Sequence, residues 1–263
     1  MALLSNGAAQ GGCNKGIEGM KKIFLGAAAA FAMASPAAHA ATGYVGVSYL
    51  NADNDAPPQV EAYGVDGSVA FDASESLGVA LDASWLTPKD SGDDSFSGTA
   101  HLFAKSDKRV FGGFVGASSG SDTTTWAAGG EAAFFLSDGT IGVAAGYANN
   151  DDVDVDAWAV NASGKLFLTD NIAFGGNLGW LRLDDGVSEN SGWVGGVSGE
   201  WQFSSLPISV KAGYSHIDGD TVDATDVVSL GVRYNFGGTL RERNHSGADL
   251  GETSSIASFV AGL

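Results

Sequence analysis

Between residues 41 and 236 the chain breaks into segments in which apolar side chains fall on every second position and the positions between them are mostly small or polar. Leu77, Val79, Leu81, Ala83 and Trp85 alternate with Gly78, Ala80, Asp82 and Ser84. Trp158, Val160, Ala162, Gly164, Leu166 and Leu168 alternate with Ala159, Asn161, Ser163, Lys165 and Phe167. Val228, Leu230, Val232, Tyr234 and Phe236 do so with Ser229, Gly231, Arg233 and Asn235. A period of two belongs to a strand with two unlike faces. Twelve strands are expected, near 43–51, 60–72, 76–86, 95–105, 108–118, 125–136, 139–148, 156–168, 171–183, 192–204, 207–217 and 226–236. Most are of the length that a strand tilted by about 45° needs to cross a bilayer. The fifth, Val110 to Ala117, alternates poorly, and its pattern does not say which face points out.

The connections alternate too. Short turns are expected at Ala73-Ser74, Ser106-Asp107, Ser137-Asp138, Thr169-Asp170 and Ser205-Leu206. Longer acidic loops are expected at 52–59, 87–94, 119–124, 149–155, 184–191 and 218–225. That rhythm predicts an all-β fold, a transmembrane up-and-down antiparallel barrel of about twelve strands with both termini in the periplasm. If odd strands run outward, Tyr49, Trp85, Trp126, Trp158, Trp180, Trp193 and Tyr214 gather at the loop ends, with Trp201 and Phe236 at the turn ends. Such belts are where amphipathic rings sit at the two membrane interfaces. A secreted β-sandwich or β-solenoid shares the strand spacing but requires neither the belts nor the short-long rhythm.

Composition narrows the partners. The net charge is -18, from 31 acidic and 13 basic residues, which argues against a nucleic-acid partner because phosphates need Lys and Arg. The single cysteine, Cys13, excludes an intramolecular disulfide framework and any Cys-based zinc cluster. No run of apolar residues is long enough for a spanning helix. Mean hydropathy is only +0.05, as expected if strands are apolar on alternate residues alone.

Residues 20–40 read as a secretory signal peptide: Met20-Lys21-Lys22, an Ala-rich apolar run to Ala34, and Ala38-His39-Ala40 before the expected cleavage. Residues 1–19 read as an upstream extension or a mis-assigned start. The barrel is expected over 41–236 and a C-terminal periplasmic tail over 237–263.

The export signal, the twelve amphipathic segments and the ending Gly231-Val232-Arg233-Tyr234-Asn235-Phe236 resemble Gram-negative outer-membrane β-barrels of the porin-like kind. The resemblance covers 41–236. It implies the bacterial outer membrane as location, outer-membrane lipid and lipopolysaccharide as surroundings, and the barrel-assembly machinery as reader of the aromatic last strand. The departure is the tail. Its charged Arg241-Glu242-Arg243 and apolar Ile256 to Leu263 suggest either a disordered extension or an apolar end that docks on the barrel or plugs its mouth.

Opposite the lipid face the pattern leaves mostly Gly, Ala and Ser. Twelve strands lined so enclose water, since only barrels of about eight strands are filled by side chains. The lining charges and amides are Asp66, Asp82, His101, Glu131, Asn161, Lys165, Asn177, Glu200, Gln202, Lys211 and Arg233. Four acids against three fixed bases predict a passive pore for small hydrophilic solutes that weakly prefers cations. The alternative is a non-conducting surface protein whose acidic loops bind lipopolysaccharide, divalent cations or another surface. No cofactor is expected. The loop carboxylates allow weak divalent-cation binding, yet no Asp-x-Asp-x-Asp-Gly loop with its distal Glu is present. Catalysis is not expected: outer-membrane phospholipases carry His-x-Ser-Asn-Gly, which is missing, and only a rim pair of Ser191 and His216 is conceivable.

Overall fold

The computed structural model describes residues 41–54, 59–89, 94–120, 123–150, 152, 154–220 and 224–254. The chain divides into two units, 1–38 and 39–263, and every described residue belongs to the second. The expected extension (1–19) and signal peptide (20–40), and the apolar tail end (255–263), lie outside the described residues.

Twelve strands form one closed barrel: β1 (Thr42–Asn54), β2 (Val60–Asp72), β3 (Leu77–Pro88), β4 (Ser95–Ser106), β5 (Arg109–Gly120), β6 (Thr123–Phe135), β7 (Gly139–Asn150), β8 (Val155–Thr169), β9 (Ile172–Asp184), β10 (Glu189–Gln202), β11 (Ile208–Gly219) and β12 (Thr225–Phe236). Each pairs antiparallel with its chain neighbours, and β1 closes on β12, so Val47 lies opposite Val65 on one side and Val232 on the other. Closure removes every edge, which a bilayer demands because no water reaches an unpaired backbone group there. Strands of 12–15 residues, tilted about 45° at roughly 3.3 Å per residue, rise about 28–35 Å, enough for the apolar band of such a barrel.

The two faces separate as the period of two requires. Val47, Val115, Trp126 and Leu178 are exposed around the outside, while Ala80, Val110, Phe114 and Leu181 are buried inside. An apolar girdle of that extent is far larger than a soluble surface carries, as in barrels that cross a membrane. β5 now has a direction: Phe111 and Val115 point out, and Val110 and Phe114 point in. Its alternation was obscure because both faces carry an aromatic and a valine.

The expected short-long rhythm is weaker than the sequence suggested. The strands run beyond the apolar band into the acidic stretches, leaving only 121–122 between β5 and β6 and 185–188 between β9 and β10. Backbone pairing continues as long as two strands face one another, whatever their side chains, so polar residues such as Asp53, Asp156 and Asp218 end up in strands.

After Phe236 the chain reverses through Gly237 and Gly238, both at positive φ, a region that glycine enters without strain. Two short helices follow, α1 (Leu240–His245) and α2 (Gly251–Ser254). α1 starts with a reciprocal cap: Glu242 N donates to Thr239 Oγ1 (3.2 Å) and Thr239 N donates to Glu242 Oε2 (2.8 Å).

This segment touches Ser68 of β2, Thr140 of β7, Lys165 of β8, Glu200 of β10, Lys211 of β11 and Arg233 of β12. Strands all round a closed cylinder share a partner only on its inside. Residues 239–254 therefore occupy the lumen. Among the described residues, the part inside includes the charged stretch Arg241-Glu242-Arg243. Leu240 packs on Phe167 and Ala173, and Ala248 and Leu250 join Ala70, Ala80, Phe103, Val110 and Ala133 in a small apolar core.

Candidate functional site: the lumen and its inserted segment

The inserted segment climbs from the turn end of the barrel. Arg241 lies against Asp138 and Asp170 of two turns (3.6 and 3.3 Å). Higher up, Lys165 Nζ meets Asp249 Oδ2 (2.6 Å). Higher still, the Thr253 backbone carbonyl accepts from Asn161 Nδ2 (2.9 Å), near the middle of β8.

Arg243 organises the lower part. Its guanidinium meets both Glu200 oxygens (2.8 and 3.0 Å), donates from Nε to Asp249 Oδ1 (2.9 Å), and also bonds the Asn235 side-chain oxygen. Tyr44 stacks under two cations, with Arg233 at 3.9 Å and Arg243 at 4.9 Å from its ring centre. Arg243 and Asp249 side chains are each only 2 % exposed, so the pair is sealed from water. Such charges persist in a dry site only because every one is paired and hydrogen-bonded. Burial alone would raise the Asp249 carboxyl, but Arg243 and Lys165 outweigh it and hold it below the ordinary carboxylate range. His245 stacks on Phe135 (4.3 Å between ring centres), and burial, helped by Arg241, lowers its pKa.

Glu252 marks the upper edge. Its Oε1 accepts from Lys211 Nζ (2.6 Å), its Oε2 from Lys165 Nζ (2.7 Å), and Arg233 Nη1 stands 3.5 Å away. Burial would raise its pKa, yet Lys165, Lys211 and Arg233 together hold it well below the usual value. Unlike Asp249, Glu252 keeps 27 % of its side chain exposed, and Lys211 24 %. Above them lies a cavity of about 520 Å³, floored by Asn244, Asp249, Leu250, Glu252 and Thr253 and walled by Asn177, Ser198, Ser215 and Ser229. A second, of about 380 Å³, is lined by Ser48, Asp66, Ser84, Ser97, Lys211 and Arg233.

All eleven residues expected to line the pore lie on the inward parity of the register, but the structure divides them. Asp66, Lys165, Asn177, Lys211 and Arg233 border the two cavities. Asp82, His101 and Glu131 form a closed triplet, His101 Nε2 to Asp82 at 2.7 Å and Nδ1 to Glu131 at 2.8 Å. Asn161, Glu200 and Gln202 bond the inserted segment, Gln202 Nε2 reaching the Gly238 carbonyl at 3.3 Å. Tyr44, Arg243, Asp249 and Glu252 escaped the sequence reading. One signal for them was present, the Thr239-x-x-Glu242 capping box, which marks an ordered helix start where an extension was expected.

At the rim, outward-facing residues pair among themselves. Arg182 bonds Glu189, and Tyr214 Oη and His216 Nδ1 both reach Asp226 Oδ1 (2.6 and 2.7 Å). Ser191 donates to Asp220 from N (2.8 Å) and Oγ (2.9 Å). His216 lies opposite Gly195, four residues along β10 from Ser191 and so about 13 Å away. The conceivable rim pair does not form. The acidic connections use carboxylates as turn acceptors too, Asp185 taking Ser188 N at 2.7 Å. Among the described residues no cluster of three or more His, Cys, Asp or Glu is placed to hold a metal.

A closed twelve-strand barrel with an apolar outer face and charged and polar groups in its lumen finds its counterparts among solved structures. An outer membrane channel from Pseudomonas putida F1 matches with a TM-score of 0.58, over 75% of this chain and 96% of its own, at 8% identity. The fold is that of outer-membrane channels and porins. The NanC porin matches at 0.55 over 72% of this chain and 98% of its own (9% identity), and the KdgM porin at 0.51 over 73% and 99% (10% identity). No protein-family profile and no curated protein matches the sequence.

Proposed function

We propose that this protein is an outer-membrane channel for passive diffusion of small hydrophilic solutes, closed at its turn end by residues 239–254. The observation that carries this reading is the pair of cavities of about 520 and 380 Å³ above the inserted segment, walled by Ser and Gly together with apolar side chains such as Leu50 and Leu86, and bearing fixed charge. A barrel that served only as a scaffold would have its lumen filled. The likeness in fold to channels and porins supports the same reading. On it, the export signal delivers the chain, the barrel-assembly machinery reads β12, and the apolar girdle and aromatic belts face lipid and, at the loop end, lipopolysaccharide.

A weak cation preference follows from the charges. The lumen holds the acids Asp66, Asp82, Glu131, Glu200, Asp249 and Glu252 against the fixed cations Lys165, Lys211, Arg233 and Arg243, with Asp82 and Glu131 paired to His101 instead. The carboxylate-rich rim adds to the excess, and a negative lining admits cations more readily than anions. The inserted segment is also the one feature that favours the alternative, a non-conducting surface protein.

Planar-bilayer conductance of residues 41–263, beside the chain ending at Phe236, separates the two. Small cation-preferring steps from the first and several-fold larger ones from the second are expected. Silence from both, with folded protein, would leave the non-conducting reading.

A further inference from the structure

We infer that Lys165, Lys211 and Arg233 form a binding site for a small carboxylate-bearing solute, and that Glu252 occupies it as the chain's own substitute for that ligand. The three cations come from β8, β11 and β12 and converge on one carboxylate, with contacts of 2.7, 2.6 and 3.5 Å. Such charge-assisted bonds are what would hold a free carboxylate equally well. Nothing about the site is peculiar to glutamate, since its cations touch only the two oxygens.

Access separates this contact from the others of the inserted segment. Arg243 is sealed away from the cavity of about 520 Å³ and Asp249 shows it almost no surface, whereas Glu252 and Lys211 are open to it. That space is ample for a molecule of one to two dozen heavy atoms. Beside the cations stand neutral donors and acceptors, Asn177 and Ser198, able to bond a polar solute body. Asp249 lies one helical turn from Glu252 and also bonds Lys165 (2.6 Å), so the cluster already holds two carboxylates at once. Asp249 stays in place, so the position that Glu252 vacates takes one carboxylate of a small solute.

The inference rests on the channel reading in one respect: the solute must reach the lumen from the loop end. A solute then competes with a carboxylate held at an effective concentration of about millimolar or more, which keeps its apparent affinity low while Glu252 is seated.

Succinate is the probe, and succinamide its neutral counterpart. In detergent-solubilised full-length protein, titration calorimetry should show Glu252→Ala binding succinate at least ten-fold tighter than the parent, with succinamide bound by neither. Adding Lys165→Met and Lys211→Met should abolish the gain. Equal succinate binding by the parent and Glu252→Ala, or a gain that survives loss of both lysines, overturns the site. Should Glu252→Ala fail to fold, hydrogen exchange on the parent decides: saturating succinate, and not succinamide, should speed exchange in residues 249–254. Unchanged exchange overturns the proposal. Neither readout needs a current, so a protein that binds succinate without conducting would sink the channel reading alone, and one that conducts without binding would sink only this site.

Discussion

Below Lys165 the lumen is dry and crowded, with Arg243, Glu200, Asn235 and Asp249 in contact and Leu240 and Leu250 packed on the wall. Above it the same strands, with the same small inward residues, enclose water-sized space. The strands do not make that difference. What fills the lower half is eighteen or so residues that follow the last strand, and what keeps them there is a set of charges paired with no solvent to spare. A barrel wall of Gly, Ala and Ser is permissive: it becomes a pore or a socket according to what is put inside it.

The largest test of this contrast removes the cation at the centre of the dry half. Arg243→Ala removes the cation shared by Glu200 and Asp249, leaving Asp249 to Lys165 and Glu200 to Arg233 at 3.4 Å, a loss of about 3–5 kcal/mol, which should undock the segment. Conductance should rise to that of the chain ending at Phe236. A conductance that stays at the parent value would show that the lower half is held by its apolar contacts instead.

Acid should weaken the same contacts more gradually. Asp249 and Glu252 have lowered pKa values when docked, so their contribution is complete above the ordinary carboxylate range, about 4, and is lost as pH falls below it. His245, also lowered, contributes fully above its ordinary value of about 6.5 and loses that contribution as pH falls toward the docked pKa. Conductance should therefore be flat above pH 7, rise slightly between 7 and 5, and rise steeply only below about 4. A steep opening near pH 6, or none down to pH 3, would contradict the assignment.

The smallest effect is expected at the cap. Thr239→Ala removes a side chain that starts α1, at a cost of about 1 kcal/mol. Conductance at pH 7 should scarcely change, while the acid opening moves to higher pH by less than about one unit. An opening at neutral pH would mean that docking has far less reserve than the Arg243 network implies.

The barrel was legible because a period of two is a property of single residues in order. Leu77 to Trp85 and Val228 to Phe236 announce their outward face without knowledge of any neighbour. Inward parity was equally plain for Lys165, Glu200 and Arg233. Their partners were not. Whether an inward charge lines water or meets another charge depends on contacts such as Lys165 to Asp249, 84 positions away, and no local pattern carries that information. The loops were overdrawn for a related reason: acidic composition marks solvent, but strand pairing runs on past the membrane boundary. In the tail the apolar end lies outside the described residues, and the described part inside the barrel is the one with a capping box and buried ion pairs.

Tyr44 has one more implication, for the order of events in folding. It belongs to the first strand, Arg233 to the last, and Arg243 to the segment beyond, yet both guanidinium groups share its ring, and Arg233 Nη2 bonds its hydroxyl at 3.2 Å. The ring is in place for Arg243 only once β1 has met β12. The insert thus acquires one of its footholds only when the circle of strands is complete, so an unfinished barrel is deprived of part of what holds its stopper.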